Sequence, residues 1–173
     1  MKDWLKNLLK SEKGEAIIST VLFDNQREVL HNRVCLNRIN PMTEEEYYVR
    51  GSTALLDAVG FAIDHIINVR RHTKKEYQPA KTMFVIMTDG YENASTNFSY
   101  RDIRRMIERQ KERYHWQFMF VGANMDAISE ASKYGISADM AVEYLCDRQG
   151  TAVSYDAICG AVSETESDRK SVV

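Results

Sequence analysis

The feature that most constrains the fold of this chain is an apolar run, Met83–Met87, which stops abruptly at Thr88, Asp89 and Gly90. An uninterrupted apolar run of this length, bounded by Asp-Gly, predicts a strand that is buried on both faces and ends at a polar turn. In an open α/β sheet, ligands bind at the carboxyl ends of such strands. Asp89 therefore lies where a carboxylate can serve as a cation ligand, although Asp-Gly is also an ordinary turn signal.

The remaining segments predict strands that alternate with helices. Strands are expected over 15–23, 27–36, 116–121 and 139–145, and the first two are antiparallel because their connection is so short. Helices are expected over 1–13, from Ser52 or Thr53 to about 72, from Ser99 onward, over 126–134, and from 150 to about 162. This alternation predicts an α/β protein with a mostly parallel sheet covered on both faces and one antiparallel edge strand.

Composition excludes several classes of function. The net charge of −2, with acidic and basic residues interspersed, gives no reason to expect a nucleic-acid or membrane partner. Cys35, Cys146 and Cys159 are scattered without C-x-x-C spacing, which favours reduced thiols over disulfides or a zinc site. No signal peptide and no segment of membrane-spanning length is visible, so we expect a cytoplasmic protein.

A second loop, at the start of the long helix, accompanies the Asp89 loop. Ser52 and Thr53 are candidate N-cap residues, and the start of a helix and the end of a parallel strand meet at the same rim of such a sheet. A hydroxyl and a carboxylate converging there match the preferences of Mg²⁺ or Mn²⁺ better than those of Zn²⁺. Two ligands alone would form only a weak site, because Mg²⁺ favours octahedral coordination.

These two loops also carry a resemblance to a known family. RGSTALLDAVG (50–60) resembles the second metal-site loop of the von Willebrand factor A domain, FVIMTDGYEN (84–93) resembles its third, and the likeness is greatest to bacterial intracellular members. The resemblance covers about 3–162 and implies a Rossmann-like three-layer α/β/α sandwich over 1–162, followed by a polar tail, 163–173. It also implies a metal-ion-dependent adhesion site, at which a divalent cation takes an acidic side chain of a partner protein as a ligand.

By this resemblance, Thr53 supplies the hydroxyl of the second loop and Asp89 the carboxylate of the third, while Ser52 and Gly90 shape the loops. The first loop of the family, Asp-x-Ser-x-Ser, has no counterpart here, and the chain begins inside what resembles the following helix. We therefore expect an N-terminally truncated domain without its central strand, between 15–23 and 81–88, and at most weak cation affinity. The sheet would then close by direct pairing, accept a strand from another chain, or be only marginally stable.

Two other functions remain open. The first is a metal-free structural or oligomerising fragment that exposes the sheet edges left by the missing strand. The second is a Mg²⁺-dependent phosphoryl-transfer enzyme, which is disfavoured because the chain has no Gly-rich phosphate loop. In the simplest interpretation Thr53 is only a helix cap and Asp89 only a turn residue. Asp57 is expected in the first turn of the helix, favoured by the helix dipole, and Glu92 has no assigned role.

Overall fold

The computed structural model describes residues 16–24, 26–39, 52–145 and 158. In chain order its strands and α-helices are β1 (Ile17–Phe23), β2 (Arg27–Cys35), α1 (Leu55–His72), β3 (Met83–Thr88), α2 (Tyr100–Tyr114), β4 (Gln117–Ala123), α3 (Ala127–Lys133) and β5 (Ala141–Tyr144). The predicted helices over 1–13 and 150–162 and the tail 163–173 lie outside the described residues, apart from Ile158. Every element expected within the described ranges is present, with ends shifted by a few residues.

The strands form two sheets, so the protein is a mixed α/β structure. β3, β4 and β5 form a parallel sheet in that order, in which Thr88 at the end of β3 is level with Gly122 of β4. β1 and β2 form a separate antiparallel pair, as their short connection predicts. Among the described residues β1 and β3 do not pair with each other, so the first of the three expected routes to a closed sheet is not taken.

Local sequence signals explain where the two later helices begin and end. Ser99 and Asp102 form a capping box, because the Ser99 side chain accepts from the Asp102 N–H and the Asp102 carboxylate accepts from the Ser99 N–H. Asp126 caps α3 by accepting from the Ser129 N–H at 2.9 Å. Gly135, with a φ of 75°, follows α3 in the left-handed conformation that glycine adopts without strain.

Alternate side chains of a strand point to opposite sides of the sheet, and those of β4 are buried on both sides. Phe118 and Phe120 join the main apolar core, which α1 and α2 supply with Leu55, Leu56, Val59, Ile63, Ile103 and Ile107. Met119 and Val121 face the other way and pack with Ile158. No helix among the described residues is both long and apolar enough to cross a membrane.

The hairpin of β1 and β2 joins this core through α1. Phe23, at the end of β1, packs against the main core, and the Arg27 guanidinium lies 3.6 Å from the centroid of the Phe61 ring. The His65 and Asn32 side chains are hydrogen-bonded at 3.2 Å, one turn further along α1. With increasing distance from the carboxyl end of β1, the contacts are made by residues later in α1. β1 therefore runs antiparallel to α1.

We predict that Phe120→Ala will lower the free energy of unfolding by about 3–5 kcal/mol, because it leaves a cavity among fully buried side chains. The matched control is Ile128→Ala, at a side chain that is 55% exposed, which should change stability by less than about 0.5 kcal/mol. Urea unfolding followed by circular dichroism measures both. Equal effects of the two variants would contradict the assignment of β4 as the centre of the core.

Candidate functional site

The candidate site is a rim at which three parts of the chain meet: the ends of β1 and β3 and the segment 52–54 before α1. The Thr53 N–H donates to Asn93 Oδ1 at 2.9 Å, and the Asn93 N–H donates to the Thr53 carbonyl at 3.1 Å. The Ala54 N–H donates to the Asp24 carbonyl at 2.8 Å, directly after β1. The two loops singled out in the sequence therefore lie side by side.

Thr53 and Gly90 are in direct contact across this rim. A Cβ atom added at Gly90 would lie 3.0 Å from Thr53 Oγ1, so a larger residue there would crowd the hydroxyl. The turn is fixed by Thr88, whose hydroxyl donates to the Gly90 carbonyl at 2.8 Å and accepts from the Gly90 N–H at 3.2 Å. Ser52 is half-buried at the start of the same segment.

Asp89 stands apart from these contacts. Its side chain is exposed, and it forms no hydrogen bond or ion pair with any residue that the structure describes. The carboxylate is thus available to a ligand from outside. The role of Thr53 and Asp89 as metal ligands nevertheless stays a prediction, since the geometry brings their loops together without testing what they bind.

Glu92 caps α1 from the other loop. Its Oε2 accepts from the Leu56 N–H at 2.8 Å and from the Ser95 hydroxyl at 2.7 Å. Its Oε1 accepts from the backbone N–H groups of Ala94 and Ser95 at 2.9 and 2.7 Å. One carboxylate therefore satisfies a free N–H of the first helical turn and also closes its own loop.

This arrangement corrects the expectation that Ser52 or Thr53 caps α1. The N-cap residue is Ala54, whose side chain has no acceptor, so the usual local cap is missing. The long-range acceptors Glu92 and Ser95 replace it. A local sequence pattern cannot reveal a cap whose acceptor lies 36 residues along the chain from its donor.

Asp57 forms the reciprocal contact, from α1 to the loop. Its carboxylate, on a residue only 8% exposed, accepts from the backbone N–H groups of Thr96, Asn97 and Phe98 at 2.9–3.0 Å. It also accepts from the Asn97 side-chain amide at 2.8 Å, while the Asp57 N–H donates to Ser95 Oγ at 3.0 Å. Asp57 does lie in the first turn of the helix, as expected, but it also organises the loop.

Hydrogen bonding keeps both carboxyl groups ionised. Burial by itself raises the pKa of Asp57, but the hydrogen bonds from Thr96 and Asn97, among others, outweigh it and hold the pKa below its ordinary value of 3.8. Burial likewise raises the pKa of Glu92, and the hydrogen bond from Leu56 leads a set that holds it below 4.5. Each carboxylate is therefore charged at neutral pH and matches the positive end of the helix dipole.

Phe98 completes the attachment of the loop to α1. A Cβ atom at Gly60 would lie 2.6 Å from the Phe98 ring, so this glycine allows the ring to rest directly on the helix backbone. The same ring meets Phe61 edge-to-face, with centroids 5.1 Å apart. The loop is thus held by apolar packing as well as by hydrogen bonds.

The residues at the rim carry the oxygen donors that a hard cation prefers, but too few of them for a strong site. Thr53 and Asp89 offer oxygen donors, which Mg²⁺ and Mn²⁺ prefer. The carboxylates of Asp57 and Glu92, also near the rim, already accept several N–H groups each. Within the described ranges no group of three or more His, Cys, Asp or Glu side chains converges as a metal site.

Comparisons with known proteins leave the family open. Searches against protein-family models, curated proteins and solved structures found no match to this chain. The class that the fold and site define is therefore a mixed α/β protein with a polar rim at the carboxyl ends of its strands.

We predict that Asp57→Asn will lower the free energy of unfolding at neutral pH by about 2–3 kcal/mol, because the amide NH2 cannot accept from the loop N–H groups whose hydrogen bonds to Asp57 are part-buried. Because the pKa values of Asp57 and Glu92 are lower in the folded than in the unfolded protein, their contribution is present above the unfolded values and is lost as the pH falls through the folded ones. Urea unfolding at a series of pH values from about 7 to 2 measures this dependence.

The variant should therefore show a shallower loss of stability on acidification than the wild type. Asp64→Asn is the matched control, because Asp64 is exposed on the same helix. Parallel pH profiles for wild type and Asp57→Asn would refute the role assigned to this carboxylate.

Proposed function

We propose that this chain is a protein–protein interaction module of the von Willebrand A type. In this proposal the rim binds an acidic side chain of a partner protein through a weakly held Mg²⁺ or Mn²⁺ ion. The observation that carries it is the exposed Asp89 carboxylate, which forms no hydrogen bond or ion pair within the described residues, on a rim whose backbone is fixed by hydrogen bonds on both sides of Thr53. An exposed carboxylate on a hydrogen-bonded rim is suited to binding a ligand.

The proposal includes a Rossmann-like three-layer α/β/α sandwich. Burial of β4 on both faces supports it, since α1 and α2 cover one side and Ile158 packs on the other. A cytoplasmic location belongs to the same proposal. Cys35, an exposed free thiol, fits a reducing compartment.

The weakness of the cation site follows from the number of its ligands. Thr53 Oγ1 and one Asp89 oxygen would hold the ion, water would fill most of the remaining positions, and the carboxylate of the partner would take one. Binding, rather than catalysis, is favoured because Asp57 and Glu92 are committed to N–H groups and have little capacity left to act as bases.

Paramagnetic Mn²⁺ tests this site by broadening the NMR signals of nearby amides. We expect selective broadening of the amides of Thr53 and Gly90, with a dissociation constant of about 1 mM or weaker. Asp89→Ala should abolish the selective broadening, whereas Asp64→Ala, on the exposed face of α1, should leave it unchanged. Absence of broadening at the rim would contradict the proposed site, and micromolar affinity would contradict its predicted weakness.

A metal-free structural or oligomerising role is the second candidate. The observation in its favour is that β1 and β3 each pair on one side only among the described residues. Size-exclusion chromatography with light scattering over a range of concentrations tests it. A monomer at every concentration would count against self-association, whereas a concentration-dependent dimer in EDTA would support it.

A further inference from the structure

An open cleft lies between α1 and α2, away from the rim. Its volume is about 150 Å³, and four residues of each helix line it. In α1 these residues begin at Asp64, and at about 1.5 Å per residue this position is roughly 14 Å along the helix from Leu55. The cleft is therefore a separate place on the molecule, and an inference about it goes beyond the proposed interaction module.

The surfaces of the two helices that meet at this cleft are polar. The lining residues recur at intervals of three and four positions in each helix, which places them on one face of that helix. Where a helix packs against its neighbours, such positions are usually apolar. Five of the eight lining residues instead carry a charge or an amide: Asp64, Asn68, Arg71, Arg109 and Gln110.

Gln110 is buried, yet its side chain lacks a partner. The residue is 2% exposed, and its Oε1 atom accepts no hydrogen bond. Among the described residues only one other buried side-chain atom, Trp116 Nε1, is in the same condition. A buried acceptor without a donor is costly, so its presence needs an explanation. Because Gln110 lines the cleft, a ligand bound there can supply the donor.

Three charged side chains line the same space without forming ion pairs. Arg71 comes from α1, Arg109 from α2, and Asp64 from the α1 face one turn and more before Arg71; all three are exposed. None of them forms an ion pair with a residue that the structure describes. A guanidinium suits a carboxylate, to which it can donate two parallel hydrogen bonds. The Asp64 carboxylate suits a cationic donor.

The apolar parts of the lining are held in place by the protein core. Ile67, Met106 and Tyr114 are half-buried and pack against the main apolar core. The Arg70 guanidinium also lies over the Tyr114 ring, 5.0 Å from its centroid. The walls are therefore part of the packed structure, and the cleft exists before a ligand enters it.

We propose that this cleft binds a small zwitterion of the class of free α-amino acids. The carboxylate of the ligand pairs with Arg71 and Arg109, and its ammonium group pairs with Asp64. The Gln110 amide serves both groups, because its Oε1 accepts from the ammonium while its Nε2 donates to the carboxylate. A cavity of about 150 Å³ holds a molecule the size of benzene, with about six non-hydrogen atoms, which is also the size of alanine.

NMR titration of the full chain with L-alanine tests the cleft. We expect the side-chain amide signals of Gln110 to shift together with the Nε–H signals of Arg71 and Arg109. The shifts should saturate with a dissociation constant of about 1 mM, since so small a ligand makes few contacts.

The control ligands carry one of the two charges each. Acetate has only the carboxylate and methylamine only the ammonium group, so each should bind at least about tenfold more weakly than alanine. Binding of acetate or inorganic phosphate as tightly as alanine would overturn the proposal, because the cleft would then be a simple anion site. Absence of any saturable shift with alanine would overturn it as well.

Gln110→Met separates a binding role from a structural one. Methionine keeps the length of the side chain but has no amide, so the melting temperature should stay unchanged or rise, because the unpaired acceptor is gone. Alanine binding, read from the Arg71 signal, should weaken about tenfold or more. A lower melting temperature with unchanged alanine binding would overturn the role assigned to Gln110.

A matched pair of arginine variants locates the carboxylate of the ligand. Arg109→Gln and Arg101→Gln remove the same charge from the same helix, and both residues are exposed, but only Arg109 lines the cleft. Arg109→Gln should weaken alanine binding about tenfold, and Arg101→Gln should leave it unchanged. Equal effects of the two variants would indicate a general effect of charge and contradict the proposed contact.

The same ligand separates the cleft from the cation site. Asp64→Ala should weaken alanine binding and leave the Mn²⁺ broadening at the rim unchanged, whereas Asp89→Ala should do the reverse. Loss of Mn²⁺ broadening in the wild type with alanine binding intact would remove the rim proposal and keep the cleft. Weaker alanine binding in Asp89→Ala would contradict a separate site.

Discussion

The exchange of hydrogen bonds between the first turn of α1 and the loop 92–98 is the interaction on which the rest of the structure depends. The N-terminus of a helix leaves free N–H groups that must find acceptors, and Ala54 at the N-cap provides none. Glu92, in the loop, accepts from an N–H group of the helix, and Asp57, in the helix, accepts from N–H groups of the loop. Two segments about 36 residues apart thus satisfy each other's N–H groups.

This exchange also determines what the rim can do. Glu92 and Asp57 would be the natural extra ligands for a cation beside Asp89, but their oxygen atoms already accept backbone donors. Releasing either carboxylate to a metal would break several part-buried hydrogen bonds to N–H groups, which is costly. The rim therefore gains a fixed backbone by committing the carboxylates of Asp57 and Glu92 to N–H groups. Asp89 takes no part in this exchange among the described residues, and its side chain is exposed.

Sequence reasoning succeeded where the signal was local. The apolar run of β3, the short connection between β1 and β2 and the helix start at Ser99 each predict an element that the structure contains. It failed at the start of α1, because Ser52 and Thr53 look like caps, whereas the real acceptors lie beyond β3. The role of Glu92 depends on a partner 36 residues away, so only the folded backbone reveals it. The ligand function of Asp89 depends on what it binds, which neither the sequence nor the fold determines.

The rim and the helix together explain how two sheets share one core without pairing. Segment 52–54 holds the end of β1 through Asp24 and the end of β3 through Asn93, and α1 holds the hairpin through the contacts of Phe61 and His65. Side-chain contacts with α1 therefore hold the two sheets together, as backbone pairing does within a continuous sheet. These contacts set the direction of β1 and of β3, although the described residues show no backbone pairing between the two strands.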